Sequence, residues 1–306
     1  MPPTRFPADK GLSARMAFTV FAMGLLFVAF IAALWALRVP IALVVIIAVV
    51  VVGAQYWFAD RIAMFSMGAR LVTPEQAPEL HAVVDRLCAL ANLPKPKVAV
   101  ADSDIPNAFA TGRSQRAAVV AVTTGLLRRL DNAEVEAVLA HELSHVAHRD
   151  VAVMTAASIL GILAGLLTRF AFYAGFFGGF GGRDNRDQEA NGLAFLAILA
   201  VSALVYTISF LLTRALSRYR ELAADRGAAI VTGAPATLAS ALVKVSGEMG
   251  RIPTQDLRAA EHMNALFFAP ALAPGLSLSS LFSTHPSLER RLDQLSRLQN
   301  QMGRRG

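Results

Sequence analysis

Residues 131–150 read DNAEVEAVLAHELSHVAHRD, and this stretch decides the fold around the candidate site. Asp131 and Glu134 have the spacing of a capping box, which predicts that a helix begins here. His141 and His145 are four residues apart and share one helical face, so both imidazoles can meet one metal ion. Glu142 projects about 100° away and can reach a water molecule on that ion. The stretch therefore predicts a capped helix with two metal ligands and a general base.

A third protein ligand is needed, because zinc in hydrolytic sites is held by three side chains and keeps one open position. Two candidates, His148 and Asp150, follow at the end of the same helix. Better candidates are Glu221 and Asp225, which share one helical face in the stretch SRYRELAAD at 217–225. One of these carboxylates can bind the metal while the other hydrogen-bonds a ligand imidazole. The alternative is that both simply pair with neighbouring arginines.

The composition indicates a membrane protein. The chain is 55% hydrophobic and 17% charged, whereas soluble proteins have roughly 45–50% and about 25%. The shortage of charge excludes a disordered chain, and the single Cys88 excludes a disulfide scaffold. The net charge of +7 comes mostly from arginines that flank apolar segments. This pattern favours lipid headgroups and excludes nucleic acid as a partner.

Four uncharged runs approach or exceed the length of a membrane span, at residues 16–37, 39–59, 151–168 and 190–213. A crossing helix needs roughly 20 residues, and the third run, with 18, is slightly short. We expect two transmembrane hairpins, at residues 16–59 and 151–213. The alternatives are a secretory signal for the first run and buried helices of a soluble core for the last two.

The distribution of basic residues predicts the orientation. Nine lysines and arginines flank the spans on one side and four on the other. The positive-inside rule places the larger group in the cytoplasm. We therefore expect a cytoplasmic tail at residues 1–15 and a cytoplasmic domain in two parts. Residues 60–150 carry the helix with the two histidines, and residues 214–306 carry the third ligand.

The soluble part is predicted to be α+β. Thr73 and Pro74 cap a helix with apolar residues at helical spacing, and short apolar runs at 98–101, 109–111 and 117–122 favour strands. The fold class is a mainly α membrane protein, in which two transmembrane hairpins carry a cytoplasmic α+β domain.

Four motifs resemble those of the HtpX-like membrane zinc metalloproteases and, more distantly, the CAAX prenyl endopeptidase. They occur in the order of that family and, with the paired hairpins, cover nearly the whole chain. The motifs are NAFATG at 107–112, HELSH at 141–145, SRYRELAAD at 217–225, and STHP at 283–286 followed by Arg290 and Arg291.

The resemblance implies a gluzincin-like site with one Zn²⁺ per chain on His141, His145 and Glu221. It also implies that Glu142 is the catalytic general base and that Asp225 hydrogen-bonds a ligand imidazole from behind. His285 is expected to approach the cleft as an oxyanion or substrate contact. An edge strand is expected to bind extended substrate through Asn107, Ala108, Phe109, Ala110 and Thr111.

The function implied by the resemblance is that of an integral membrane zinc endopeptidase of the bacterial inner membrane. Its partners are the lipid bilayer and polypeptides, namely misfolded or damaged membrane proteins cut on the cytoplasmic side during quality control and stress response. The alternatives are a catalytically inactive zinc-binding scaffold and a transporter subunit. The four apolar runs contain no ionisable group of the kind that transport uses. Structural zinc sites commonly have four ligands rich in cysteine.

Overall fold

The computed structural model describes residues 10–36, 41–150, 153–154, 157, 161–169, 185–249, 268 and 285–304. The chain divides into two compact units. The helical unit comprises residues 14–56 and 154–216, and the sheet unit comprises residues 1–13, 57–153 and 217–306. The assignment of segments to tail, hairpins and cytoplasmic domain stays a prediction.

The helical unit contains α1 (Lys10–Ala36), most of α2 (Ile41–Ser66), a helical stretch at 161–169 and the first part of α6 (Asn185–Thr232). Within the described residues, two segments are long and apolar enough to span a membrane, Ala14–Ala36 and Phe195–Thr232. The fourth run was expected to follow a polar loop that ends at Glu189, but α6 is already helical from Asn185. Acidic Asp187 and Glu189 suit a helix start, because the helix dipole favours negative charge there. Residues 170–184 of the expected loop lie outside the described residues.

The packing of the helical unit fits a lipid environment. Phe30, Leu34 and Leu167 pack in one buried cluster. Large apolar side chains such as Phe18 and Trp35 are 70% and 75% exposed. Exposed apolar surface of this extent is rare on soluble monomers and typical of surfaces that contact lipid or protein.

Among the described residues, the sheet unit contains a four-stranded sheet in the order β1-β2-β4-β3. The strands are β1 (Ala69–Leu71), β2 (Lys97–Ala101), β3 (Ala108–Thr111) and β4 (Val119–Thr123). β2 and β4 are parallel, while β1–β2 and β3–β4 are antiparallel. β3 forms one edge of this sheet in the part of the chain that the structure describes.

The described residues of the sheet unit contain six further helical elements. They are α3 (Pro78–Ala91), a 3₁₀ turn (Gln115–Ala117), α4 (Thr124–Arg129), α5 (Asn132–Ala147), α7 (Pro235–Met249) and α8 (Leu288–Gly303). The predicted capping box of α5 is confirmed, because the Asp131 side chain accepts from the Glu134 N–H and the Glu134 side chain accepts from the Asp131 N–H. Glu134 also accepts hydrogen bonds from Ser240 and Lys244 of α7. One carboxylate thus starts α5 and holds α7 against it.

The two faces of the sheet pack on different partners, as the alternation of side chains along a strand requires. Val120 and Val122 of β4 join the main core with α3, α5 and α7. Val119 and Ala121 face the other way and pack with Phe109 of β3 against the C-terminal end of α2. The sheet is therefore a layer between the helix of the two histidines and the end of α2.

Gly125 at the start of α4 controls the loop that leads into β3. A Cβ atom there would lie 2.3 Å from the main-chain oxygen of Asp104. The Gly125 N–H also donates to the Ser103 oxygen at 2.8 Å. Only a residue without a side chain permits this close approach.

We predict that Gly125→Ala destabilises the protein by roughly 1–3 kcal/mol, because the new methyl group meets backbone that must move. Thermal unfolding in detergent measures the effect. Gly247→Ala is the matched control, since Gly247 is an exposed position of α7 with nothing within 4 Å of the added Cβ. A Gly125→Ala protein as stable as the control would disprove the close contact.

Candidate metal centre

Helices α5 and α6 bring three candidate ligands together. One ligand atom from each of His141, His145 and Glu221 lies within 4.8 Å of the others. The Nε2 atoms of the two histidines are 3.2 Å apart. The Glu221 carboxylate has Oε1 at 3.4 Å from His145 Nε2 and Oε2 at 3.7 Å from His141 Nε2. All three side chains are buried or nearly so.

This cluster fits a metal cation. Each imidazole turns Nδ1 to a carboxylate and Nε2 to the shared centre, so the two Nε2 lone pairs and Glu221 form a concentrated negative site. Burial opposes protonation of His145, but the contacts with Asp150 and Glu221 outweigh it and raise its pKa to about 10. The electrostatics of the site therefore favour a bound cation. Two imidazoles and one carboxylate are a ligand set found in zinc sites.

Asp225 lies behind the first histidine. Its Oδ1 is 2.9 Å from His141 Nδ1, and the carboxylate is fully buried. Arg291 donates hydrogen bonds to both carboxylate oxygens of Asp225, from Nε to Oδ2 at 2.7 Å and from Nη2 to Oδ1 at 2.6 Å. Burial alone would raise the pKa of Asp225, but Arg291 and His141 hold it below its ordinary value. The carboxylate therefore stays ionised and can keep the proton of His141 on Nδ1.

Asp150 holds the second histidine in the same way. His145 Nδ1 donates to Asp150 Oδ2 at 2.6 Å, and Arg220 Nε lies 3.0 Å from the same oxygen. Arg149 has a φ of 56°, and this left-handed residue turns the chain sharply after α5. The sequence suggests Asp150 only as an alternative metal ligand. In the structure, its carboxylate instead accepts a hydrogen bond from Nδ1 of His145, the ring nitrogen that faces away from the cluster.

The other alternative ligand, His148, is the C-cap of α5. Its Nδ1 lies 2.8 Å from the main-chain oxygen of Ser144, and it does not belong to the metal cluster among the described residues.

Glu142 follows the first histidine and is buried on the side of α5 that faces β3. Burial raises its pKa above the ordinary value, although the neighbouring histidines and a hydrogen bond with the Ala110 backbone oppose the shift. A carboxylate with a raised pKa beside a metal centre suits proton transfer near neutral pH.

His285 reaches the cluster through Glu221. Its Nδ1 donates to Glu221 Oε2 at 2.9 Å, and the side chain is buried. The structure therefore places His285 against a candidate ligand. Its expected part as an oxyanion or substrate contact stays a prediction, and Ser283 and Thr284 of the same motif lie outside the described residues.

Asn107 precedes β3 and is fully buried, and its expected part in the substrate strand stays a prediction. Its side-chain oxygen accepts from the Phe268 N–H at 2.8 Å. The Phe268 ring stands edge-on to His141 at 5.1 Å between centroids, and Arg291 donates to the Phe268 oxygen at 2.8 Å. No sequence signal points to Phe268, because its contacts come from segments far apart in the chain.

The outer edge of β3 offers main-chain groups at alternate residues. The Thr123 N–H donates to the main-chain oxygen of Asn107 at 2.9 Å, so these two residues are a hydrogen-bonded pair of the ladder. Bonded and non-bonded pairs alternate along an antiparallel ladder. The pairs Ala108–Val122 and Ala110–Val120 are therefore non-bonded, and the N–H and C=O groups of both alanines face away from β4.

Comparison with known proteins shows what this arrangement resembles. The sequence profile described as Peptidase family M48 matches residues 74–299. Protease HtpX homolog 1 of Streptomyces coelicolor is 60% identical over 98% of this chain and 97% of its own length. Protease HtpX homolog of Moorella thermoacetica is 52% identical over 97% of this chain and 98% of its own length. Protease HtpX homolog 2 of Methanosarcina mazei is 48% identical over 97% and 99%.

The fold also resembles a solved structure. The crystal structure of S. mikatae Ste24p matches with a TM-score of 0.52 at 18% identity. The match covers 94% of this chain and 66% of that chain. At this identity the likeness shows the shared fold alone.

We predict that Glu221→Ala weakens zinc binding by more than the roughly 10–100-fold that an outer hydrogen-bond partner contributes. The reason is that the carboxylate is one of the three candidate ligands among the described residues. Competition with a chromophoric chelator measures the affinity. His148→Ala is the control and should bind zinc as the unaltered chain does. The opposite result, with zinc lost from His148→Ala and kept by Glu221→Ala, would reverse the ligand assignment.

We predict that Asp150→Asn lowers zinc affinity by about 10–100-fold, because His145 then loses the charged partner that orients its ring. The same chelator competition measures the change. Asp104→Asn is the control, since its side chain is 91% exposed and its partner is the exposed Arg128. Equal affinities for the two variants would show that Asp150 does not support the ligand.

Proposed function

Because the chain belongs to peptidase family M48, we propose that its metal centre cleaves membrane proteins on the cytoplasmic side of the membrane. The resemblance to the HtpX-like membrane metalloproteases is confirmed by the family match and by relatives at 48–60% identity. The chain is thus a membrane metalloprotease, and the mainly helical fold with a small sheet agrees with the expected class. The two alternatives, a catalytically inactive zinc-binding scaffold and a transporter subunit, are not favoured by these matches.

The proposed cofactor is one zinc ion per chain on His141, His145 and Glu221. The observation that carries this proposal is the convergence of their ligand atoms beside a buried glutamate and an edge strand. A zinc ion bound there supplies a Lewis acid that acidifies water and polarises the scissile carbonyl. Three protein ligands leave a position open for chemistry, whereas a structural site is usually closed by four.

Glu142 is the proposed general base. It takes the proton of the attacking water and later returns it to the departing amine. Burial raises its pKa, so the carboxylate holds that proton more readily than an exposed glutamate does. The hydrogen bond with the Ala110 backbone ties this carboxylate to the strand on which substrate is proposed to lie.

The proposed substrate strand is β3. An extended peptide can add to its outer edge through the main-chain groups of Ala108 and the C=O group of Ala110, while the Ala110 backbone also hydrogen-bonds Glu142. This kind of pairing uses backbone hydrogen bonds and tolerates many side chains. A folded loop has its backbone already paired, so the edge selects unfolded segments. Such selection supports a role in the removal of misfolded or damaged membrane proteins.

The proposed location is the bacterial inner membrane, with the metal centre facing the cytoplasm. The support is the basic flank of the predicted spans, with nine lysines and arginines on one side and four on the other. The two halves of the domain each follow an even number of predicted crossings, which keeps both on the same side.

We predict that Glu142→Gln retains zinc and loses peptide hydrolysis by about 10²–10⁴-fold, the usual contribution of a general base. Zinc content and cleavage of casein by the detergent-purified protein measure the two properties. Glu136→Gln on the same helix is the control, because its partner is the surface residue Arg86. Hydrolysis by Glu142→Gln at the rate of the control would remove Glu142 from the mechanism.

A further inference from the structure

The last turns of α2 have two dissimilar sides. α2 continues to Ser66, although the uncharged run predicted to span the bilayer ends at Ala59. On one side, Ala63 is buried against Phe109 of β3 and its neighbours in the sheet, with Met64 beside it. This side is an ordinary packing surface of a protein interior.

The other side is apolar and exposed. Phe58, Ile62 and Phe65 follow the spacing of one helical stripe, and their exposed fractions are 44%, 56% and 89%. Trp57, the residue before Phe58, is 59% exposed. We call the exposed side chains of these four residues the aromatic stripe. Water is a poor partner for so many adjacent large apolar groups.

A bilayer interface suits this stripe better than a protein partner does. α2 is one continuous helix, so the stripe directly extends the apolar run at 39–59. Tryptophan and other aromatic residues favour the headgroup level of membranes. Arg61 and Arg70 are exposed nearby and complement anionic lipid phosphates.

The length of the helix agrees with this partner. Six residues separate Ala59 from Phe65, which is about 9 Å along a helix axis at 1.5 Å per residue. The headgroup region adds roughly 5–7 Å on each side of the hydrocarbon core. Ile62, three residues or about 4.5 Å beyond Ala59, lies within this layer. The average tilt of a spanning helix, about 20°, shortens the rise only slightly, so Phe65 lies at the outer limit of the layer.

We propose that the aromatic stripe is immersed in the interfacial region of the lipid bilayer and seats the sheet unit on the membrane. Phe109 of β3 packs on the opposite side of the same helix, so the substrate edge lies about one helix diameter, roughly 10 Å, from lipid. Arg113, just beyond β3, lies over the Trp57 ring at 4.7 Å from its centroid and ties the strand end to the stripe.

The consequence for substrates rests on the proposed function. An edge strand held beside the bilayer meets membrane-tethered peptides at a high effective concentration, which free peptides lack. The stripe thereby favours cleavage of segments close to a membrane anchor, with no need for a particular sequence.

Depth-dependent quenching tests the immersion in the full chain. The chain has two tryptophans, and Trp35→Phe with Trp57→Phe removes both. In this background Phe65→Trp places one indole on the stripe, and Leu90→Trp places a control indole on α3. Leu90 is 42% exposed, and α3 covers the opposite face of the sheet. The vesicles contain phosphatidylcholine and phosphatidylglycerol, with phosphatidylcholine brominated near the headgroup end of its chains.

The indole at position 65 should lose most of its emission to brominated lipid and resist acrylamide, while the indole at position 90 shows the reverse. Emission at position 65 that is insensitive to bromine and quenched by acrylamide would overturn the immersion. This measurement needs no peptidase activity, so its result does not depend on the proposed function.

The substrate step has its own test. Phe65→Ser should lower cleavage of an anchored flexible peptide several-fold relative to the same peptide free in solution, with Leu90→Ser as control. Cleavage of the free peptide should not change, because Phe65 is not one of the proposed catalytic groups and its side chain is 89% exposed. An unchanged ratio in Phe65→Ser would refute the link between the stripe and substrate choice. No cleavage of either peptide by the unaltered chain would refute the proposed function instead.

Discussion

The arrangement of the site depends on two imidazole rings that are each held from behind by a carboxylate paired with an arginine. Asp225 and Arg291 hold His141, and Asp150 and Arg220 hold His145. Loss of one partner from a buried ion pair costs about 3–5 kcal/mol, because the other charge is left uncompensated. These contacts therefore fix the ring orientations firmly, and both Nε2 atoms face the same point.

One helix supplies most of this arrangement. α6 carries Arg220, Glu221 and Asp225 within two turns, so it contacts both histidines and provides the third candidate ligand. The sheet then sets what the centre can act on. One face of the sheet packs on the helix of the histidines, and the other face packs on the end of α2. We propose that the edge strand between these layers brings extended peptide to the metal centre and that the aromatic stripe brings it to the membrane.

The sequence predicts what depends on local spacing and misses what depends on distant contacts. The capping box at Asp131 and the shared face of His141 and His145 follow from positions three and four apart in one helix. The short β1 was missed, because three residues with an arginine carry too little pattern. The contact of Asp150 with His145 depends on the left-handed turn at Arg149. The contact of Phe268 with Asn107 joins residues that are 161 positions apart in the chain. Neither contact produces a periodic pattern in the sequence.

In the proposed metal centre, two histidines and Glu221 hold one metal ion beside Glu142. A crystal structure of the zinc-loaded protein, with diffraction data collected on both sides of the zinc absorption edge, tests it directly. We expect one anomalous peak per chain, bonded to Nε2 of both histidines and to the Glu221 carboxylate at roughly 2.0–2.2 Å. A peak at His148 or Asp150, or a zinc ion enclosed by four protein side chains, would contradict it.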